Sequence, residues 1–260
     1  MISYIFIISI ILSIIPIAII GYAFYKRDTI KEPKKLLNKL FAAGILSGII
    51  VLCVSFVGLA LFPKLTNLDQ IDNVFVLIFY SYIFIGLIEE SSKLFMIYKG
   101  CYNNEYFDQA YDIILYSVFV SLGFAFFENI VYFLNTPGID IVFLRSITAV
   151  PVHICLQVIM GYFLYLSKIK DKNINIIKGL VITTLLHGTY DFLIFTGNMI
   201  LVCCDLVLLI LMFVYANYKI KKLIEIDKSN LIKTNYCPNC GEIIEYEFCP
   251  KCGYKKNTRI

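Results

Sequence analysis

The chain has 260 residues (29.8 kDa), of which 59% are hydrophobic and 16% charged, with a mean hydropathy of +0.78 and a formal net charge of +4. An average soluble domain carries roughly 45–50% apolar and about 25% charged residues, so this composition excludes a disordered chain and argues against a single soluble domain. The small net charge gives no nucleic-acid footprint, and the membrane is the class that remains.

A spanning helix needs about 20 mainly apolar residues, and seven runs meet that length. The first covers Ile2 to about Tyr25 and the second about Leu40 to Phe62. The third runs from Val74 to Tyr98, the fourth from Gln109 to Leu134 and the fifth from Asp140 to Ser167. The sixth covers Ile174 to Gly197 and the seventh Met199 to Tyr218, close enough in sequence to form a helical hairpin. The first run has no Lys or Arg before Lys26, so it reads as an uncleaved helix and not a signal peptide, with Pro16 expected to kink it.

Lys and Arg set the expected orientation. Lys26, Arg27, Lys31, Lys34, Lys35 and Lys39 follow the first run, and Lys64 alone follows the second. Lys99 follows the third, and the loop from Asn135 to Ile139 has no positive residue. Lys168, Lys170 and Lys172 follow the fifth run, none follows the sixth, and Lys219, Lys221 and Lys222 close the seventh. The alternation predicts a multi-pass protein of a cell membrane, most readily a prokaryotic plasma membrane, with the N-terminus outside and the C-terminus cytoplasmic. Residues 1–222 form the helical domain, with its core at about 74–197. Residues 223–234 read as a polar linker, and 235–256 as a small cysteine module.

That module reads Cys237-Pro-Asn-Cys240-Gly and Cys249-Pro-Lys-Cys252-Gly. Two Cys-x-x-Cys turns supply the four thiolates a structural zinc needs, and four protein ligands leave no coordination place for water. Gly241 and Gly253 permit the positive φ such turns use. The spacing therefore predicts a zinc ribbon, whose cytoplasmic placement disfavours disulfides and which offers a docking module for a protein partner. Cys53, Cys101, Cys155, Cys203 and Cys204 lie in or near apolar runs and read as small hydrophobes.

Ionisable residues inside spanning helices cost about 2.5–3.5 kcal/mol each on insertion scales, yet four consecutive runs carry them. The third holds Glu89-Glu90-Ser-Ser-Lys93, in which Lys93 reaches either carboxylate at i+4 or i+3. The fourth holds Glu128 after a cluster of aromatics, with no local cation. The fifth holds Arg145, Pro151 and His153, and the sixth His187-Gly-Thr-Tyr-Asp191. Both histidines of the chain are thus inside the membrane beside three glutamates. A straight-helix reckoning at about 1.5 Å per residue spreads Glu89, His153, His187 and Glu128 over depths of roughly 22, 20, 15 and 9 Å, a spread that tilts or a bend at Pro151 would have to close.

The ordered set Glu89-Glu90-x-x-Lys93, Phe124-x-x-x-Glu128, His153 and His187-x-x-x-Asp191 resembles the PrsW family of intramembrane proteases, relatives of the CAAX prenyl endopeptidases. That family commonly has His and Asn where this chain has Glu128 and Asp191. The resemblance covers about Val74 to Gly197. It implies an endopeptidase acting on membrane-anchored protein substrates, with regulated cleavage of an anti-sigma factor as the best-known example. It implies Glu89 as the base and Glu90 held by Lys93, with His187 stabilising the oxyanion or protonating the amine. Asp191 would orient His187, Glu128 would share the water or bind a metal, and His153 would complete the site. Two Glu and two His are adequate ligands for a catalytic metal, but no His-Glu-x-x-His helix is present, so glutamate and metallo mechanisms stand open at this point. A proton- or ion-coupled transporter, or a non-catalytic scaffold with a docking ribbon, are the alternatives.

Overall fold

The computed structural model describes residues 2–63, 73–104, 106–233, 236–244 and 248–255. Lys64 and residues 235 and 256 at the expected edges of the ribbon lie outside the described residues. Among the described residues nine α-helices follow in chain order: α1 (Ile2–Arg27), α2 (Lys34–Leu61), α3 (Val74–Phe79), α4 (Ile88–Cys101), α5 (Asp112–Asn135), α6 (Ile139–Ile147), α7 (Ala149–Lys170), α8 (Ile174–Phe195) and α9 (Met199–Lys233). A π-helical segment, Tyr80–Leu87, joins α3 to α4. The protein is therefore an all-α polytopic membrane protein.

Among the described residues six stretches are long and apolar enough to cross a membrane: α1, α2, the continuous α3–π–α4, α5, α6 with α7, and α9. The sequence reading counts seven. The difference is α8, 22 residues long, in which Lys178, Thr183, Thr184, His187, Thr189 and Asp191 lower the hydropathy. Lipid-facing positions are apolar and open, as at Phe56, Phe75, Ile210 and Phe213. Such exposure is ordinary where the solvent is hydrocarbon.

α5 and α7 form the centre, and Ile113 to Val118 at the start of α5 and Val150 to Met160 in the first half of α7 are almost entirely buried. α2 crosses α5 at two glycines. A Cβ on Gly44 would lie 1.9 Å from the Val120 carbonyl oxygen, and one on Gly123 would lie 1.9 Å from that of Phe41. Only glycine allows the two backbones to approach this closely, the device membrane helices use in place of a hydrophobic drive.

Two local features depart from the sequence reading. The fifth run is broken at Thr148, between α6 and α7. Pro151 then falls in the first turn of α7, where its missing N–H costs little. The segment read as a linker is helical, because α9 continues to Lys233. Its Leu223 and Asp227 are buried. The two oxygens of Asp227 accept from the backbone N–H groups of Ala110 (2.6 Å) and Tyr111 (2.8 Å), so the end of α9 caps the start of α5. Near the other terminus, α1 runs through Pro16 as one helix.

The cysteine module follows α9 directly. Single bridges, Tyr236 with Ile243 and Phe248 with Lys255, close two knuckles. Gly241 and Gly253 take φ of 71° and 72°, the positive values their place after each Cys pair predicts.

Candidate functional site

The first turn of α4 carries Glu89 and Glu90, and one turn later Lys93 is fully buried. Lys93 Nζ donates to Glu90 Oε1 at 2.5 Å and lies 3.6 Å from Glu89 Oε2. Glu90 is enclosed by donors. Its Oε2 accepts from Gln157 Nε2 of α7 at 2.6 Å, and its Oε1 also accepts from His187 Nδ1 of α8 at 2.9 Å. A carboxylate only accepts, so His187 carries its proton on Nδ1. The other ring nitrogen, Nε2, is left facing Glu89 Oε2 at 3.8 Å and Asp191 Oδ2 at 3.6 Å.

A second network lies beside the first. His153 Nε2 donates to Glu128 Oε2 at 2.7 Å, and its Nδ1 faces Lys93 Nζ at 3.3 Å. Glu128 Oε2 also meets Arg145 Nη2 at 2.6 Å. Arg145 Nε donates to Asn129 Oδ1 at 3.0 Å, and the guanidinium sits 3.7 Å from the centre of the Tyr132 ring. The His153 and His187 rings meet edge to face at 5.3 Å, and Lys93 lies over the Phe124 ring at 4.4 Å. Five helices therefore bring every membrane residue singled out in the sequence into one cluster.

The depth spread of the straight-helix reckoning is closed. The interruption at Thr148 sets α7, and with it His153, independently of α6, which carries Arg145. The π-helical segment shifts the register ahead of Glu89. A cavity of about 370 Å³ opens on the cluster. Glu89, Glu128, Arg145, His153, His187 and Asp191 line it, with Asn135 and Thr136 toward the α5–α6 end. Glu90 and Lys93 do not line it. Glu89 Oε2 and Asp191 Oδ2 are buried, yet neither has a hydrogen-bond partner among the described residues.

Sequence reasoning missed Gln157 and left Arg145 and Asn129 without a part. Gln157 had a usable signal, since it sits four residues after His153 and so on the same helix face. Asp191 was expected to orient His187. At 3.6 Å from Nε2 it does not hydrogen bond, and Glu90 does the orienting from the other side of the ring.

At the chain's other end the four thiols converge. Cys237 Sγ and Cys252 Sγ are 3.5 Å apart, as are Cys240 Sγ and Cys249 Sγ. Tetrahedral zinc with bonds of about 2.3 Å sets its sulfurs about 3.8 Å apart, so the four-cysteine cluster fits a structural zinc. Hydrogen bonds from Asn239 and from the Tyr254 backbone hold the Cys252 thiol down to about 6, toward the thiolate that binds metal.

A helix bundle of this kind, with carboxylates, imidazoles and a lysine assembled around a buried cavity, is built to activate water at membrane depth. Comparison with known proteins agrees. Residues 32–218 match the PrsW family of intramembrane metalloproteases. The protease PrsW of Oceanobacillus iheyensis is 34% identical over 210 residues, covering 79% of this chain and 91% of the relative. That of Bacillus subtilis is 31% identical over 68% of this chain and 78% of its own, and that of Clostridioides difficile 32% over 70% and 77%. No solved structure matches. The chain belongs to the PrsW family of intramembrane proteases and is a membrane-embedded peptidase, which disfavours the transporter and scaffold alternatives.

Proposed function

We propose that this peptidase hydrolyses a peptide bond of a membrane-anchored protein, such as an anti-sigma factor or a similar signalling protein, with Glu89 as general base. The observation that supports this most directly is the division of labour between adjacent carboxylates. Glu90 is enclosed by Lys93, Gln157 and His187, whereas Glu89 presents beside the cavity an oxygen with no hydrogen bond among the described residues, 3.6 Å from Lys93. A base needs a free lone pair within reach of water; of the two carboxylates on α4 Glu89 is the one that has it, and Asp191 offers a second such oxygen from α8.

In this reading Glu90 fixes the tautomer and angle of His187. The Nε2 of His187 then faces the reacting groups, where it takes and returns the proton destined for the leaving amine. Glu128, joined to Arg145, holds His153, and Lys93 keeps the two acidic groups of α4 compatible with burial. Asp191 lends negative charge to His187 without bonding it.

The family's description as metalloproteases implies an ion. Glu89, His153 and His187 each offer a ligand atom, all within 4.8 Å of one another, and Glu89 Oε2 lacks a partner among the described residues. Two imidazoles and a carboxylate are a zinc-type donor set, but His153 uses Nε2 on Glu128 and Nδ1 on Lys93. These three residues would hold an ion only with His153 released from one partner and with Glu89 and His187 as ligands in place of base and proton carrier, Glu90 orienting His187 from behind. Such an ion, when bound, lowers the pKa of a coordinated water to about 7 and polarises a carbonyl.

The Lys-rich ends of α1, α7 and α9 mark the cytoplasmic side under the positive-inside bias, so the cavity's α5–α6 end faces out and cleavage falls near the outer leaflet. The 1–222 body and the ribbon of 235–256 remain separate functional parts, the second a docking site for a protein partner. The test is cleavage of a membrane-anchored peptide by purified protein in proteoliposomes. Glu89→Gln and His187→Ala should each lower cleavage at least about 10²-fold with unchanged insertion. Full cleavage by both would remove the proposed site. Thiol labelling of a cysteine placed at Gly138 from the outside checks the orientation.

A further inference from the structure

The π-helical segment Tyr80–Leu87 runs directly into the first turn of α4, which carries Glu89. Helices of this type are rare, and when they occur they often mark functional sites. Here the consequence is a register. Tyr80, Ile85 and Glu89 all line the cavity, at spacings of five and then four. Five is the hydrogen-bonded span of a π-helix and four that of an α-helix, each bringing the side chain back to nearly the same face. In an uninterrupted α-helix, nine residues at about 100° each would put Tyr80 half a turn away from Glu89, outside the cavity. The segment rotates Tyr80 onto the reacting face.

The phenol that arrives there is uncommitted. Its ring stacks on Phe84 at 5.4 Å and packs against Phe195 at 6.0 Å, which fixes its direction. Its hydroxyl makes no hydrogen bond among the described residues, and the residue shares the cavity lining with Asp191 and Glu89. Ser55, Tyr132, Asn135, Thr136 and Tyr190 also line the cavity, but only Tyr80 is carried there by the helix that bears Glu89, and the charged and imidazole donors are engaged. Arg145 is bonded to Glu128 and Asn129, and His153 to Glu128. Tyr132 lies beneath Arg145. His187 turns its protonated nitrogen away, toward Glu90. Peptide hydrolysis builds negative charge on the scissile carbonyl oxygen, and that charge needs a positioned donor. Glu89, Glu128 and Asp191 around the same space make an unassisted oxyanion costlier still.

We propose that Tyr80 is a further catalytic residue of this peptidase, donating its phenolic O–H to the substrate carbonyl oxygen as it becomes an oxyanion, and that the π-helical segment exists to aim it. The inference rests on the peptidase reading of the cavity. No bond to Tyr80 forms or breaks; its proton stays on the phenol and its hydrogen bond shortens as charge develops.

The experiment uses full-length protein in proteoliposomes with a membrane-anchored peptide, comparing wild type, Tyr80→Phe, Glu89→Gln and a protein carrying 3-fluorotyrosine at position 80. Tyr80→Phe keeps the ring stack and removes only the donor. It should lower kcat about 10²- to 10³-fold, the usual effect of removing one oxyanion donor, with KM within about twofold. The fluorinated phenol keeps a more acidic donor, so activity should persist while the alkaline limb of the pH–rate profile moves to lower pH. Wild-type kcat in Tyr80→Phe would overturn the proposal and leave the peptidase reading intact. If Tyr80→Phe does not fold, an unmoved alkaline limb in the fluorinated protein overturns it. An inactive wild type sinks the peptidase reading and this proposal together.

Discussion

At Lys93 two acceptors and a second carboxylate meet: Glu90 and the Nδ1 of His153 lie within hydrogen-bond reach, and Glu89 Oε2 stands 3.6 Å away. None of the Lys93 side chain touches solvent or lipid. Removing one partner of a buried ion pair costs about 3–5 kcal/mol because the other charge is left uncompensated. Lys93→Ala should therefore reduce the yield of folded protein as well as cleavage. The double change Glu90→Gln with Lys93→Met removes both charges together and should recover folded protein, though not cleavage. Monodisperse protein measured by fluorescence-detected size exclusion checks both. Equal recovery for the single and double variants would contradict the pairing.

Glu32, in the loop between α1 and α2, is a different kind of buried acid. Burial pushes its carboxyl up to about 7, and burial likewise raises neighbouring Asp28 to about 6. Asp28 has partners, accepting from the Glu32 backbone and from Gln109, whereas Glu32 Oε2 has none among the described residues. The folded state holds these protons to higher pH than the unfolded chain, whose carboxylates titrate near about 4. Folded stability contributed here is thus greatest at low pH and falls as pH rises from about 4 through 7. Glu32→Gln should raise the melting temperature at pH 8 and leave it unchanged at pH 4. A shift of equal size at both would show that ionisation is not the cause.

Elements meet most tightly where α2 crosses α5. Gly123→Ala places a methyl 1.9 Å from the Phe41 carbonyl oxygen, so the helices must part. Overpacking of this kind costs about 1–3 kcal/mol, and a backbone atom yields less readily than a side chain. Thermal melting of the variant in detergent should fall by several degrees, with Gly44→Ala behaving alike and the double variant less than additive because both open one interface. Unchanged melting would mean that the crossing is looser than the geometry gives.

Helix positions were readable from apolar run length, and their ends agree to within a few residues, except where α2 starts earlier and α9 continues further. The interruptions were not readable. Nothing in Tyr80–Leu87 announces a π-helical segment, because the segment is largely apolar and no proline marks the place. Its cause is tertiary. Gly86 lies against the Thr184 carbonyl and the Gly188 backbone, and Tyr82 packs on Gly188 while bonding Thr189 at 2.8 Å. α8 thus holds the widened turn in place. The helical course of residues 223–233 has a similar origin, since Asp227 is useful there only because the N-terminus of α5 lies opposite.

Across the molecule, two contacts among the described residues join the ribbon to the body. Tyr236 N donates to Leu231 O at 2.8 Å. A Cβ on Gly241 would lie 3.0 Å from Ile30, so the first knuckle rests on the loop between α1 and α2. Zinc binding to such sites supplies most of their folding energy, about 10–16 kcal/mol in small peptides. Cys240→Ser should abolish the single equivalent of zinc measured in purified protein with the ribbon as its source. It should also expose the ribbon to protease, while cleavage of substrate by the body persists. A folded, inserted and inactive Cys240→Ser protein would refute the ribbon's separate, structural part.

What the sequence determined by itself was the class of protein, the four-thiolate ligand set and the identity of the buried charges. Hydropathy, Cys spacing and the insertion cost of ionisable groups are properties of short segments and need no partner to be read. What only the tertiary structure decided was which carboxylate is free. Glu89 and Glu90 are neighbours on one helix with the same intrinsic chemistry. They differ because α7 and α8 bring Gln157 and His187 to one of them and a cavity to the other, and a hydrogen bond between helices leaves no trace in the local sequence of either.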